Sequence, residues 1–197
     1  MATVREQKNH KYGKGPRDDR YEVRLSGSGG HGVILACVML AQAAGMDPHR
    51  NVVQTQSYGP EARGGASRAD MVVSHSEIFY PKTMQLDVLL AFTQEACDKY
   101  YSALKPGGIL IVDTTMVTKV PIKNSMGFPF MRLAREEVGH SMVANVIALG
   151  VIAELTGVVS REAILKVVKE RSPKGTEEKN LKALQLGFDL VKKGRQE

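Results

Sequence analysis

The apolar positions fall into two regimes along the chain. Up to about residue 130, short apolar runs alternate with segments of helical period; beyond it, only helical periods remain. Residues 21–25 alternate and then meet SGSGGHG at 26–32, which leads into a helix over Val33–Ala44: strand, glycine turn, helix. Asn51–Ser57 reads as a second strand, followed by the loop YGPEARGG. A third strand is expected over 69–74, with a short turn or edge piece at 77–81. DVLLAF at 87–92 has the unbroken apolar character of a strand buried in a parallel sheet. The helix after it, 94–104, is expected to stop at the breaker Lys105-Pro106-Gly107-Gly108. ILIV at 109–112 is another buried strand, ending at Asp113, and 121–130 holds a weak extended segment.

The remainder reads as helices. A short one is expected at 132–138, and one over 142–155 that is apolar on more than one face. Such a helix has to be covered on all sides, in part by a neighbouring subunit. Ser160 offers a hydroxyl N-cap for an amphipathic helix over 161–170, and the last helix spans about 175–193. Strands alternating with helices predict an α/β fold: a Rossmann-like, mainly parallel sheet flanked by helices, with C-terminal helices appended. The organisation expected is a polar N-terminal arm at 1–20 and a single α/β domain over 21–197, helical from about 131. The arm has almost no apolar residues to dock on its own domain, Val4 and Tyr12 aside, so it is expected on a neighbouring subunit.

Composition narrows the classes. The chain has 197 residues, 43% of them hydrophobic and 24% charged, as in an ordinary globular protein. Its net charge of +6 raises the question of nucleic acid. The excess sits at the two ends, however, and in the C-terminal part it is interleaved with acids at helical spacing, as on a solvated face. No aromatic ladder accompanies it, so nucleic-acid binding is not expected. No apolar run is long enough to span a bilayer and no leader pattern follows Met1, which suggests a cytoplasmic protein. The two cysteines, Cys37 and Cys97, fall in separate helices and form neither a disulfide framework nor a cluster ligand set.

Gly27, Gly29 and Gly32 satisfy G-x-G-x-x-G at the end of a strand and the start of a helix, a context suited to cradling phosphate. It serves equally well as a tight strand-to-helix crossing. A nicotinamide enzyme also needs an acid at the end of its second strand; here that strand ends Gln54-Thr55-Gln56-Ser57. No Walker sequence, Gly-x-Ser-x-Gly elbow or His-Glu-x-x-His is present. If the first two strands run parallel, the turn and the loop at 58–65 project from one edge, towards a ligand or another subunit. Arg63 could grip phosphate or carboxylate, with Glu61 orienting it or meeting a partner; the two could also simply pair. Arg68 is a second cation nearby, and Asn145 an isolated polar residue expected to be satisfied by local backbone or by a partner.

GSGGHG (27–32), VVQTQSYGPEARGGASRADMVVS (52–74), DVLLAFTQEA (87–96), LKPGGILIVD (104–113) and MVANVIALG (142–150) together resemble the gamma subunit of 2-oxoacid:ferredoxin oxidoreductases, nearest to the 2-oxoglutarate type. The resemblance implies a complex that uses thiamine diphosphate with Mg2+, iron–sulfur clusters and coenzyme A to convert a 2-oxoacid to an acyl-CoA. It implies alpha, beta and ferredoxin-like subunits as partners. It implies no cofactor on this chain itself, which has no Gly-Asp-Gly thiamine motif, and an isolated chain without activity. The subunit's role would be to shape the coenzyme A cleft through Gly27, Gly29, Gly30, His31, Gly32, Tyr58, Gly59, Pro60, Arg63, Gly64 and Gly65. His31 stands where the family usually has glutamine. The rival readings are a stand-alone nucleotide-binding Rossmann-like protein and a non-catalytic scaffold.

Overall fold

A computed structural model describes residues 19–57 and 66–194. The arm up to residue 18 and Tyr58, Gly59, Pro60, Glu61, Arg63, Gly64 and Gly65 lie outside the described residues. Six strands, β1 (Arg20–Gly27), β2 (Asn51–Ser57), β3 (Ser67–Ser74), β4 (Leu86–Ala91), β5 (Leu104–Asp113) and β6 (Ser125–Phe128), form one sheet in the order β2-β3-β1-β4-β5-β6. β1, β4, β5 and β6 are mutually parallel, while β3 is antiparallel to both of its neighbours, β1 and β2. β2 therefore runs in the same direction as β1, and the sheet is mainly parallel with one reversed strand.

Helix α1 (Val33–Ala44), α4 (Ala144–Thr156), α5 (Arg161–Arg171) and α6 (Glu177–Gly194) form a thick layer on one face of the sheet. Val23, Leu25, Val88, Leu90 and Ile111 meet them in one continuous core. Among the described residues the other face carries a single short helix, α2 (Gln94–Tyr100), over Leu89, Ala91, Leu110 and Val112. This asymmetry follows from the strand residues. On β1 and β3 the helix-rich side presents Val23, Leu25, Ala69 and Met71, whereas the other side presents Glu22, Arg24 and Asp70. Cys37 and Cys97 are both free and buried, one on each side of the sheet. Burial, then nearby Asp98, pushes the Cys97 thiol up to about 11.

Several boundaries differ from the sequence reading. α2 ends at Tyr100 and passes through one 3-10 turn into β5, which already includes Leu104–Gly108. The expected breaker is thus strand: Leu104 pairs with Leu86 across an irregularity in register, Lys105 forms an ion pair with Asp87, and a Cβ on Gly108 would lie 2.8 Å from the Leu86 carbonyl oxygen. The expected helix at 132–138 begins earlier, as α3 (Phe130–Leu133), and then widens into a π turn over Ala134–Val138. α4 is preceded by a 3-10 turn at Ser141–Val143 and closed by Gly157 in the left-handed region.

Most of 142–155 is already buried within the chain itself. Val146, Leu149 and Ile152 are at most 2% exposed within this chain alone. α6 lies against α4 so closely that Gly150 and Gly187 meet backbone to backbone, and α1 and α5 also pack on α4. Intramolecular helices cover these side chains, while Met142 at the start of the segment remains 59% exposed.

Ser160 caps α5 as its sequence suggests, its Oγ accepting from Ala163 N–H at 3.1 Å. Ser160→Ala should lower the stability of the chain by about 1 kcal/mol, and Ser160→Gly by only a few tenths. Urea unfolding of the two variants checks this; equal losses would mean that backbone freedom rather than the hydroxyl decides.

Candidate functional site at the strand-end edge

β1 ends at Gly27, and the chain must reverse into α1 within five residues. The glycines of that turn do different things. Gly32 sits at φ +66, and a Cβ there would lie 2.4 Å from Asn145 Nδ2. Gly27 has no room either, with Phe92 Cβ at 3.1 Å from the position of a Cβ. Gly30 needs its positive φ of +93. A Cβ on Gly29 or Gly30 would meet nothing within 4 Å, so this stretch of backbone is open. No side chain among the described residues caps α1, whose first N–H groups have no acceptor within the helix. Bare glycine backbone next to an uncapped helix start is a ready anion cradle.

The walls come from other elements. Phe92, immediately after β4, donates its N–H to Ser26 O and stacks on the His31 ring, with centroids 5.4 Å apart and planes 6° from parallel. Phe130 tilts against Phe92 at 5.8 Å and Phe128 against Phe130 at 5.5 Å, so an aromatic column runs from β6 to the turn. Asp113 is fully buried at the end of β5. It accepts from Thr115 N–H at 2.8 Å and from Met131 N–H at 3.1 Å, tying the β5 end to α3. Asn145, at the start of α4, donates from Nδ2 to Gly32 O at 3.1 Å.

Of the residues marked in the sequence, Gly27, Gly29, Gly30, His31, Gly32 and Asn145 come together here. Asn145 is held by backbone, as expected, but by a carbonyl from the far end of the fold rather than a local one. Arg68 goes elsewhere. It lies on the α2 side of the sheet, its guanidinium 5.7 Å from the centre of the Tyr100 ring. Arg24 approaches the same ring at 4.9 Å. The loop at 58–65 lies outside the described residues, but its anchors are placed. Ser57 pairs with Arg68, and Ser67 pairs with Gly27 and donates to its carbonyl at 3.1 Å. The loop thus leaves and re-enters the sheet at the edge that carries the glycine turn. Phe92, Phe130 and Asp113 were missed by sequence reasoning. Their signal was position: each ends or directly follows a strand at the carboxyl edge, where open α/β sheets bind ligands.

A six-stranded, mainly parallel sheet with flanking helices, and a glycine turn leading into a helix at its carboxyl edge, define an α/β fold. The model of the pyruvate ferredoxin/flavodoxin oxidoreductase family matches residues 22–190, and the chain belongs to that family. It is 45% identical to the 2-oxoglutarate synthase subunit KorC of Methanocaldococcus jannaschii, over 88% of this chain and 95% of that one. It is 47% identical to the subunit of the same name from Methanothermobacter marburgensis, over 89% and 99%. Among solved structures, the gamma subunit of a keto/oxoacid ferredoxin oxidoreductase from Geobacter sulfurreducens superposes with a TM-score of 0.77 at 49% identity, covering 86% of this chain and 96% of that one. No helix among the described residues is long and apolar enough to cross a membrane. Nor do the described residues contain a group of three or more His, Cys, Asp or Glu side chains able to hold a metal ion.

Proposed function

We propose that this chain is the gamma subunit of a 2-oxoacid:ferredoxin oxidoreductase of the 2-oxoglutarate type, and that the turn at 27–32 forms one wall of the cleft where coenzyme A enters. The observation that carries the reading is the open backbone at Gly29 and Gly30 beside the uncapped start of α1, in a chain from this family. Coenzyme A brings a pyrophosphate and a ribose phosphate, which need N–H donors and cations. The turn supplies the N–H groups. Arg63, on the adjoining loop, supplies the cation, and Glu61 orients it or a partner group. Thiamine diphosphate, Mg2+ and the iron–sulfur clusters belong in this reading to the alpha, beta and ferredoxin-like subunits, where decarboxylation and electron transfer take place. This chain's residues bind and orient coenzyme A and close the cleft to water, and the isolated chain is inactive.

The test is Gly29→Asp in the reconstituted complex. The added carboxylate has space, so the fold and the assembly should survive. Its charge should repel phosphate and raise the KM for coenzyme A at least tenfold, with the 2-oxoacid KM unchanged. An unchanged coenzyme A dependence with the complex intact would defeat the reading.

A further inference from the structure

We propose that His31 is a binding residue whose ring is locked as a hydrogen-bond donor, presenting Nε2–H to a pyrophosphate oxygen of coenzyme A in the glycine turn. The inference rests on the coenzyme A reading above and adds a named atom to it. Ser28 N–H points at His31 Nδ1 from 3.1 Å, and the Ser28 hydroxyl lies 2.9 Å from the same nitrogen. A backbone N–H can only donate, so Nδ1 must accept, and the proton of the neutral ring sits on Nε2. The Ser28 carbonyl, 3.3 Å from Nδ1, is the more distant neighbour and does not set the tautomer. Stacking on Phe92, itself braced by Phe130, fixes the plane of the ring. His31 is half-buried, and its Nε2 has no partner among the described residues. A ring held by one nitrogen and one face, with its other nitrogen unpartnered among the described residues, is built to meet an acceptor.

Asn145 points the same way independently. It is 4% exposed; its Nδ2 is spent on Gly32 O, and its Oδ1 is buried with no partner among the described residues. A polar atom this deep calls for a donor. A ligand that suits both residues carries anionic oxygens for Nε2–H and an N–H or O–H for the amide oxygen. Coenzyme A has both, in its pyrophosphate and in its pantetheine amides.

The experiment compares His31→Phe, which keeps the stack and removes the donor, with His31→Gln, which keeps an N–H donor and loses the ring. Both are made in the reconstituted complex. Binding of coenzyme A and of dephospho-coenzyme A, which lacks the ribose phosphate, is measured by calorimetry without 2-oxoacid, alongside KM and kcat. His31→Phe should weaken both ligands by about the same factor, tenfold or more, as expected for one hydrogen bond to a charged group. His31→Gln should recover most of the affinity. Wild-type affinity in His31→Phe overturns the proposal, and so does an equal loss in the two variants, which would mark a purely shape-filling ring. A loss for coenzyme A alone would place the donor on the ribose phosphate and also overturn the assignment. If Gly29→Asp impairs coenzyme A and His31→Phe does not, the cleft reading stands and this inference falls; if neither does, both fall. Should His31→Phe fail to assemble, His31→Leu against His31→Gln gives the same contrast of no donor with donor.

Discussion

Gly187→Ala should cost the chain about 3 kcal/mol or more, a loss usually associated with deleting a core side chain. A Cβ at Gly187 would lie 2.1 Å from Ile147 O and 2.9 Å from Gly150 Cα; one at Gly150 would lie 2.3 Å from Leu184 O. The obstacle is backbone on both sides, so no rotamer change relieves it, and α4 and α6 would have to move apart. Separating them unpacks Ile147, Leu184 and Phe188, all at most 1% exposed. Overpacking a core costs about 1–3 kcal/mol when side chains can adjust, and here they cannot. The propensity gain of alanine over glycine, about 1 kcal/mol, only partly offsets it. For a chain of this length the melting temperature should fall by about 6–12 °C. The double variant Gly150→Ala/Gly187→Ala should lose less than the sum, because the first methyl already opens the crossing. Additive losses in thermal unfolding would show that the two glycines act separately.

Asp70→Ala should destabilise by about 3–5 kcal/mol. Arg24 and Asp70 face each other across the β1–β3 ladder and form a two-point ion pair, Nε to Oδ1 at 2.7 Å and Nη2 to Oδ2 at 2.8 Å. Each is only 6% exposed, and Thr83 donates to Asp70 at 2.9 Å. Removing the carboxylate leaves the buried guanidinium with only the Thr83 hydroxyl and the face of Tyr100, and no counter-charge. The cost is that of an uncompensated buried charge rather than of the pair itself. Arg24→Met/Asp70→Leu should therefore recover most of the stability. Denaturant midpoints for the single and double variants check this. A double variant no better than Asp70→Ala alone would mean that the pair is itself strongly stabilising.

The elements whose signal is local were readable in the sequence. α1 and β2 have the predicted bounds because an unbroken helical period and a clean turn frame them. The reversed direction of β3 was not readable, since nothing in the alternation of 69–74 tells which neighbour it will pair with. Lys105-Pro106-Gly107-Gly108 has the composition of a breaker and the role of a strand. Gly108 serves the close approach of Leu86, which only tertiary structure reveals. Similarly, the apolar faces of 142–155 announced burial, but Gly150 and Gly187 lie on separate helices and meet only in the finished fold, so α6 as its cover stayed hidden. At the site, the glycine turn was legible as a motif. The aromatic column behind His31 was not, because Phe92, Phe128 and Phe130 come from separate elements and meet only at the edge of the finished sheet.

The position of β1 at the junction of the two halves of the sheet bears on the order in which the chain can assemble. β2 and β3 are close in sequence and pair as a hairpin, which a short loop closes quickly. β1 cannot be secured that way: its other neighbour, β4, begins only at Leu86, and Val23 waits for Val88. A nascent chain that has emerged only as far as Ser74 thus holds β1 with one edge paired and the other bare. Unsatisfied strand edges invite pairing with other chains. Synthesis of DVLLAF, the run that stood out first as a buried strand, is also the moment at which that edge is closed.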